Sequence, residues 1–349
     1  MCIRDRQKAL SVKHRVHKLS VSEDGKAFDG YDILLSTNMR AKDVLEEAIK
    51  MADLIIVDEA HRVSPNGTGY KKIIDDFENE GKIGAQFMGL TASPERRTGD
   101  QRDQLSLAFD AIIDCANIET LIEEGILVAP IYRPHFIHDL DLSSIDISSG
   151  DFPVSKLAPA IVKSSMIDYA TFIYLEERQN VPSAPISAWF CPDVTVAEAT
   201  LEKVRANGIE AEIVTASTPI NERMELLEAH ENGAIEAMVS VGVLAEGWDN
   251  PHCNLIVHLR PTLSKVVWGQ TVGRGLRSAE GKDRCIVIDV SSNWSTFGPV
   301  EKLEWSLWNH RRSYVRYKNR FNWIGEQLEQ GADEKIYFLC ENKLPNGLR

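Results

Sequence analysis

Cysteine is sparse and scattered. Six occur in 349 residues, and no two form a Cys-x-x-Cys pair. That leaves no signature of a zinc site or a disulfide framework, and it predicts a reducing compartment, the cytoplasm. No apolar run is long enough to span a bilayer, so no membrane partner is expected. The N-terminus has no signal-peptide core, because basic and polar residues interrupt it from Arg4 to Lys18. Positive charge is also short: 39 Lys and Arg stand against 52 Asp and Glu, a net charge of -13. Coating of nucleic acid by bulk positive charge is thereby disfavoured, while a narrow basic channel between acidic surfaces is not. No internal repeat of short period is present.

What remains is ordinary for a globular chain: 43% hydrophobic and 26% charged residues. The length favours two domains. Short apolar runs alternate with helical spacings. "YDILLST" at 31–37, "DLIIV" at 53–57 and "FMGL" at 87–90 read as buried strands too short for helices. A helix is expected at 41–51. Over 119–130 a helix, a stop at Gly125 and a strand follow. One helix is expected over 156–179. Then come strands at 185–191, 210–216, 237–241, 254–259 and 285–290. Helices are expected at 194–207, 221–232 and from Val266 to Arg277. This alternation predicts an α/β fold with doubly wound parallel sheets.

Four constellations carry chemistry. "VDEAH" (57–61) ends an apolar strand, where open α/β sheets place their reactive groups. Asp58 is a metal ligand of the kind magnesium takes, and Glu59 can orient and deprotonate an attacking water. The plainer reading is an acidic helix start. "GLTASP" (89–94) supplies the Thr91 and Ser93 hydroxyls, able to relay nucleotide state, or simply a turn into a cap. In "GVLAEGWDNP" (242–251), Gly247 permits close backbone approach to a ligand and Asp249 can accept from a ribose hydroxyl. The alternative there is a plain turn. In "QTVGRGLR" (270–277), Arg274 and Arg277 fall three apart, so both guanidiniums can face one cleft and stabilise a transferring phosphate. The alternative is a solvated basic helix start.

In this order the set resembles superfamily 2 helicases of the DEAD/DEAH type. Asp58-Glu59-Ala60-His61 looks like motif II and Thr91-Ala92-Ser93 like motif III. "VSVGVLAEGWDNP" looks like motif V and "QTVGRGLR" like motif VI. The stretches "FCPDVTVAEATLEKVRANGIEAEIVTA" and "HLRPTLSKVVWGQTVGRGLRS" are similar to the type III restriction-enzyme and DNA-repair branch. The resemblance implies two RecA-like domains of the P-loop NTPase type in tandem, with ATP and Mg2+ in the cleft between them, driving movement on nucleic acid, DNA rather than RNA. It implies Asp58, Glu59, Arg274 and Arg277 as catalytic residues and Gln270, Gly247 and Asp249 as nucleotide contacts. It further implies coupling through His61, Thr91 and Ser93, and a nucleic-acid contact at Thr37.

The sequence departs from the family in one respect. Its Gly-Lys pairs, at 25–26, 81–82 and 281–282, lack the G-x-x-x-x-G-K-[ST] phosphate cradle. The expectation is therefore an incomplete first domain over 1–133, a linker over 134–155, a second RecA-like domain over 156–296 and an extension over 297–349. The chain by itself is expected to be inactive, its longer parent an ATP-hydrolysing helicase or translocase with a nuclease or repair partner. Two rivals stay open: a non-catalytic nucleic-acid-binding or regulatory remnant, and the motor subunit of a restriction endonuclease. In the extension, Arg311, Arg312 and Arg316 stand among aromatic residues and are candidate phosphate contacts, with a packed helix as the alternative.

Overall fold

In the computed structural model the chain is described over residues 16–18, 33–35, 49, 52–63, 70–81, 85–94, 97–98, 101–102, 105, 108–109, 111–114, 116–147, 151–181, 183–245, 247–305 and 314–316. It divides into two units, the second built on Ala116–Glu304.

In the first unit, β1 (Leu54–Asp58) lies parallel to β2 (Gln86–Leu90), with Asp58 opposite Leu90. Helix α1 (Tyr70–Glu80) covers one face of the pair. Ile73, Ile74 and Phe77 of the helix pack with Ile55, Val57 and Phe87 of the strands. The period-2 alternation of a strand sends the other residues the opposite way. Leu54, Ile56, Met88 and Leu90 accordingly line the uncovered face, each more than 40% exposed. Short parallel pairs join Val16–Lys18 to Ile33–Leu35 and Ile112–Asp114 to Tyr314–Arg316. The stretch Tyr314–Arg316 is thus extended, not helical.

The second unit is a six-stranded, all-parallel sheet. Its strands are β3 (Ala129–Pro134), β4 (Ser187–Phe190), β5 (Ala211–Val214), β6 (Ala237–Ser240), β7 (Leu255–His258) and β8 (Arg284–Asp289). Their spatial order is β5-β6-β4-β7-β8-β3. The central strands are buried on both faces, which is why they read as unbroken apolar runs. Alternate residues feed two separate cores. Trp189, Val239, Val257 and Ile288 face one, with α3 (Val154–Lys163), α4 (Met166–Glu177) and α5 (Val194–Ala206). Ala188, Phe190, Met238, Ile256 and Val287 face the other. There they meet Leu226 and Leu227 of α6 (Ile220–Glu231) and Trp268 and Val272 of α7 (Lys265–Gly273).

Three expectations are corrected here. The boundary expected at 133/134 falls instead near 115/116, because β3 pairs residue for residue with β8, from Ala129 opposite Arg284 to Pro134 opposite Asp289. Helix α2 (Ile118–Glu123), capped by the Asn117 side chain, comes with it. Residues 134–155 are no free linker: the Asp151 carboxylate accepts from the Leu263 amide and the Thr262 hydroxyl, both at 2.8 Å. The single helix expected over 156–179 is two, α3 and α4. Asp139 stabilises the break by accepting from the Ser165 amide (2.8 Å) and hydroxyl (2.9 Å).

Candidate functional site

The carboxylates of the first unit sit where the strand pattern put them. Asp58 is the last residue of β1 and is exposed. Glu59 follows in the left-handed region, φ 51°, ψ 48°. A non-glycine residue held there costs about 1–3 kcal/mol, and such strain clusters at functional turns. The turn throws the chain into a short 3-10 helix, Ala60–Arg62, which buries Ala60 and His61. His61 Nδ1 stands 3.0 Å from Thr91 Oγ1 and 3.4 Å from the Glu59 carboxylate. Thr91 Oγ1 also accepts from the Ser93 amide at 3.1 Å, and Ser93 is buried. The structure therefore joins "DEAH" to "TAS" through one imidazole. Sequence reasoning missed what lets them approach. A Cβ on Gly89 would lie 2.6 Å from Ala60 Cβ and 2.7 Å from Phe109 Cζ, so the strand passes only with glycine there. Thr37, Arg311 and Arg312 lie outside the described residues, as does the Arg316 side chain.

In the second unit, α7 begins at the N-cap Ser264 and ends at Gly273, four residues earlier than the spacing suggested. Arg274 is its C-cap, and Arg277 lies in the bridge that pairs with Leu127. The two guanidiniums nonetheless converge. Arg274 Nη1 donates to the Trp248 carbonyl at 2.7 Å and Arg277 Nη1 to the same oxygen at 3.0 Å. Arg274 also donates twice to the Ala245 carbonyl, at 3.0 and 2.8 Å. Arg277 pairs with the half-exposed Asp249. Both arginines, expected to face phosphate, here grip the loop 242–251. Gln270 projects from α7 and is partly buried. Gly247 adopts φ +70° with open space where its Cβ would be. The glycine supplies the left-handed backbone that the loop takes here.

The loop is held from behind by buried groups that no motif announced. Lys282, 7% exposed, donates to the Pro251 carbonyl at 2.8 Å and to the Arg277 carbonyl at 2.7 Å. Asn250 meets His230 Nδ1 at 3.2 Å, and His230 Nε2 meets the Ser187 carbonyl at 3.0 Å. That carbonyl accepts only from a protonated Nε2, so His230 is the neutral Nε2–H tautomer. Burial pushes its pKa down to about 4.

At the carboxyl edge of the sheet, Ser240, His258 and Asp289 end three strands and are all buried. His258 Nδ1 accepts from Asn293 Nδ2 at 2.9 Å, and its Nε2 lies 2.9 Å from Thr271 Oγ1 on α7. Burial, with the neighbouring Arg260 charge, pushes the His258 pKa down to about 3. Burial raises that of Asp289 above the usual carboxylate range, against hydrogen bonds from Ser291 and the Trp294 amide. The only signal in the sequence is a polar residue closing an apolar run, as in "NLIVH" and "CIVID". Gly275 is equally obligatory, since a Cβ there would lie 2.4 Å from Cys285 Sγ and 2.7 Å from Ile256 Cγ1.

Comparison with known proteins agrees with this arrangement. Residues 3–101 match the DEAD/DEAH box helicase family, and residues 173–279 match the helicase conserved C-terminal domain. A Saccharomyces cerevisiae protein whose name designates it an ATP-dependent helicase, IRC3, is 29% identical over 238 residues, covering 68% of this chain and 34% of that protein. A 51.5 kDa protein of a Lactococcus phage is 28% identical over 272 residues, covering 78% of this chain and 56% of that protein. The chain thus spans between a third and somewhat over a half of the length of these relatives. Among solved structures, a fragment described as an HsdR subunit of a type I restriction enzyme from Vibrio vulnificus YJ016 superposes with a TM-score of 0.61. It is 20% identical and covers 81% of this chain and 52% of its own. Two parallel-sheet units, a strand-end Asp-Glu joined through histidine to a threonine, and an arginine pair in the last matched segment concur with the two family matches in sequence order: the chain carries a DEAD/DEAH-box helicase domain followed by a helicase conserved C-terminal domain, the pair found in superfamily 2 helicases.

Proposed function

We propose that the chain carries two halves of an ATPase site that drives movement on nucleic acid, DNA in preference to RNA. The observation that carries this is the pairing of an exposed Asp58 at a strand end with Glu59 in a strained turn, tied by His61 to Thr91. Asp58 fits magnesium, a hard cation that takes one or two carboxylates and completes its shell with phosphate and water. When bound, the ion supplies charge neutralisation at the transferring phosphoryl group. Glu59 orients the water. His61 and Thr91 pass the state of that turn to the segment after β2. On the second unit, Arg274 and Arg277 are the phosphate contacts, with Gln270, Gly247 and Asp249 on the nucleotide. Thr37, Arg311, Arg312 and Arg316 contact the nucleic-acid backbone.

DNA is favoured by the likeness of "HLRPTLSKVVWGQTVGRGLRS" to the restriction and repair branch, where a nuclease or repair partner follows. The test is phosphate release with single-stranded DNA, duplex DNA or RNA. DNA stimulation abolished by Glu59→Gln supports the reading. Equal stimulation by RNA overturns the preference, and turnover indifferent to Glu59→Gln overturns the site.

A further inference from the structure

Three cations converge on one loop in the second unit, and only two of them are accounted for by the proposed ATPase site. Arg274 and Arg277 share the Trp248 carbonyl. Lys282 takes the far end of the loop, the Pro251 carbonyl, and the Arg277 carbonyl beside it. It reaches there because the chain reverses at Ala279–Lys282, with Gly281 at φ +77° and the Lys282 amide bonded back to the Ala279 carbonyl at 3.1 Å. Unlike Arg277, which is about a third exposed, Lys282 is enclosed and cannot turn outward. Its ammonium is therefore a fixed strut between the end of the loop and the backbone of Arg277.

We propose that Lys282 is a positioning residue for Arg277, holding its backbone to Pro251 so that the guanidinium stands against Trp248 and Asp249, ready to exchange these partners for phosphate. The proposal rests on the reading of Arg277 as a phosphate contact. The geometry explains why one arginine needs a strut and the other does not. Arg274 sits at the end of a helix and makes three carbonyl bonds of its own. Arg277 lies beyond the helix in a single bridge and has one carbonyl and one exposed carboxylate. Burying an ammonium also demands partners for its protons, and two carbonyls take two of the three without neutralising it.

The test is proton exchange at the two guanidiniums by NMR on the full chain, with and without Lys282→Met. Exchange at Arg277 should accelerate about tenfold, equivalent to losing one net hydrogen bond of about 1.4 kcal/mol, while that at Arg274 stays within about twofold. A merely structural lysine would accelerate both together. Equal change at both, or none at Arg277, overturns the proposal. Lys282→Gln is the second variant should Lys282→Met not fold: its shorter amide spans one carbonyl, and Arg277 must again lose more protection than Arg274. Nucleotide titration of Arg277→Gln stands apart from this. Unchanged affinity for Mg·ADP would remove the phosphate reading and leave the exchange result intact.

Discussion

At the scale of single residues, the sharpest constraints fall on side chains that are absent. Gly275 faces Cys285 and Ile256 at distances no Cβ tolerates. Gly275→Ala should destabilise the second unit by about 1–3 kcal/mol through overpacking, read as a lowered urea midpoint. Cys285→Ala should recover part of it by removing the nearest atom. An unchanged midpoint would mean that β7 and β8 give way. Arg274 is a different case, because it performs a structural task where the sequence announced a chemical one. Arg274→Ala strips donors from the Ala245 and Trp248 carbonyls. It should cost about 1.5–3 kcal/mol of stability, the range for hydrogen bonds to charged groups. It should also lower nucleic-acid-stimulated hydrolysis by roughly a hundredfold or more. Lysine should restore neither, lacking the planar fork. Intact stability with lost turnover would leave Arg274 a purely catalytic residue.

Among the elements, the loop 242–251 is suspended between an arginine pair and a buried histidine, and the histidine makes it sensitive to acid. His230, with its pKa pushed down to about 4, and His258, pushed down to about 3, stay neutral in the fold. Both take up a proton near pH 6.5 once unfolded. Stability is therefore whole above about pH 6.5 and falls as pH drops toward 4, because the unfolded chain binds more protons. Through His230 alone the loss is about 3 kcal/mol at 1.36 kcal/mol per pH step. Urea melts between pH 7.5 and 5 should show the slope, and His230→Gln should reduce it. A flat profile would place His230 in contact with water.

Much of this was legible in the sequence. The buried strands are recoverable because a parallel sheet covered on both faces demands unbroken apolar runs, and "DLIIVD" and "NLIVHL" show them. Asp58, Glu59, His61 and Thr91 are recoverable because a strand end fixes where they point. The lock on the loop was not legible. Lys282 is one lysine among many until Gly281 turns it inward, and the target that Arg274 and Arg277 share is a backbone carbonyl, which carries no letter. The edge strand Ala129–Pro134 was legible only in part, since the strand read after Gly125 ended at Pro130, and its place in the second sheet was not, because parallel pairing joins segments with no local signal between them.

For the molecule as a whole, the two units differ in how much of their apolar surface is covered. The second unit encloses two cores, whereas β1 and β2 leave Leu54, Ile56, Met88 and Leu90 open. Limited proteolysis should therefore cut before residue 116 first and leave a stable fragment holding 116–304. Equal resistance on both sides of that point would contradict the difference. The chain alone should also turn over ATP far more slowly than about one per second, the low end of ordinary enzymes. The sequence holds no G-x-x-x-x-G-K-[ST] loop, the motif whose backbone amides cradle β- and γ-phosphates. Steady phosphate release at that rate would refute it.

The two-core sheet also sets what kinds of sequence change the second unit can absorb. Its strands are apolar on both faces, so polarity would not punish a one-residue slip. Volume would. Moving β4 by one place would drive the Trp189 indole into the slot of Ala188, and Phe190 into the space Trp189 leaves. A single inserted codon inside β4 should be lethal to the fold even if it encodes valine. The same codon at the exposed turn after Asn207, where Gly208 at φ +76° has open space around it, should pass almost unnoticed. In this domain it is the spacing between large and small side chains, more than their oiliness, that inheritance has to preserve.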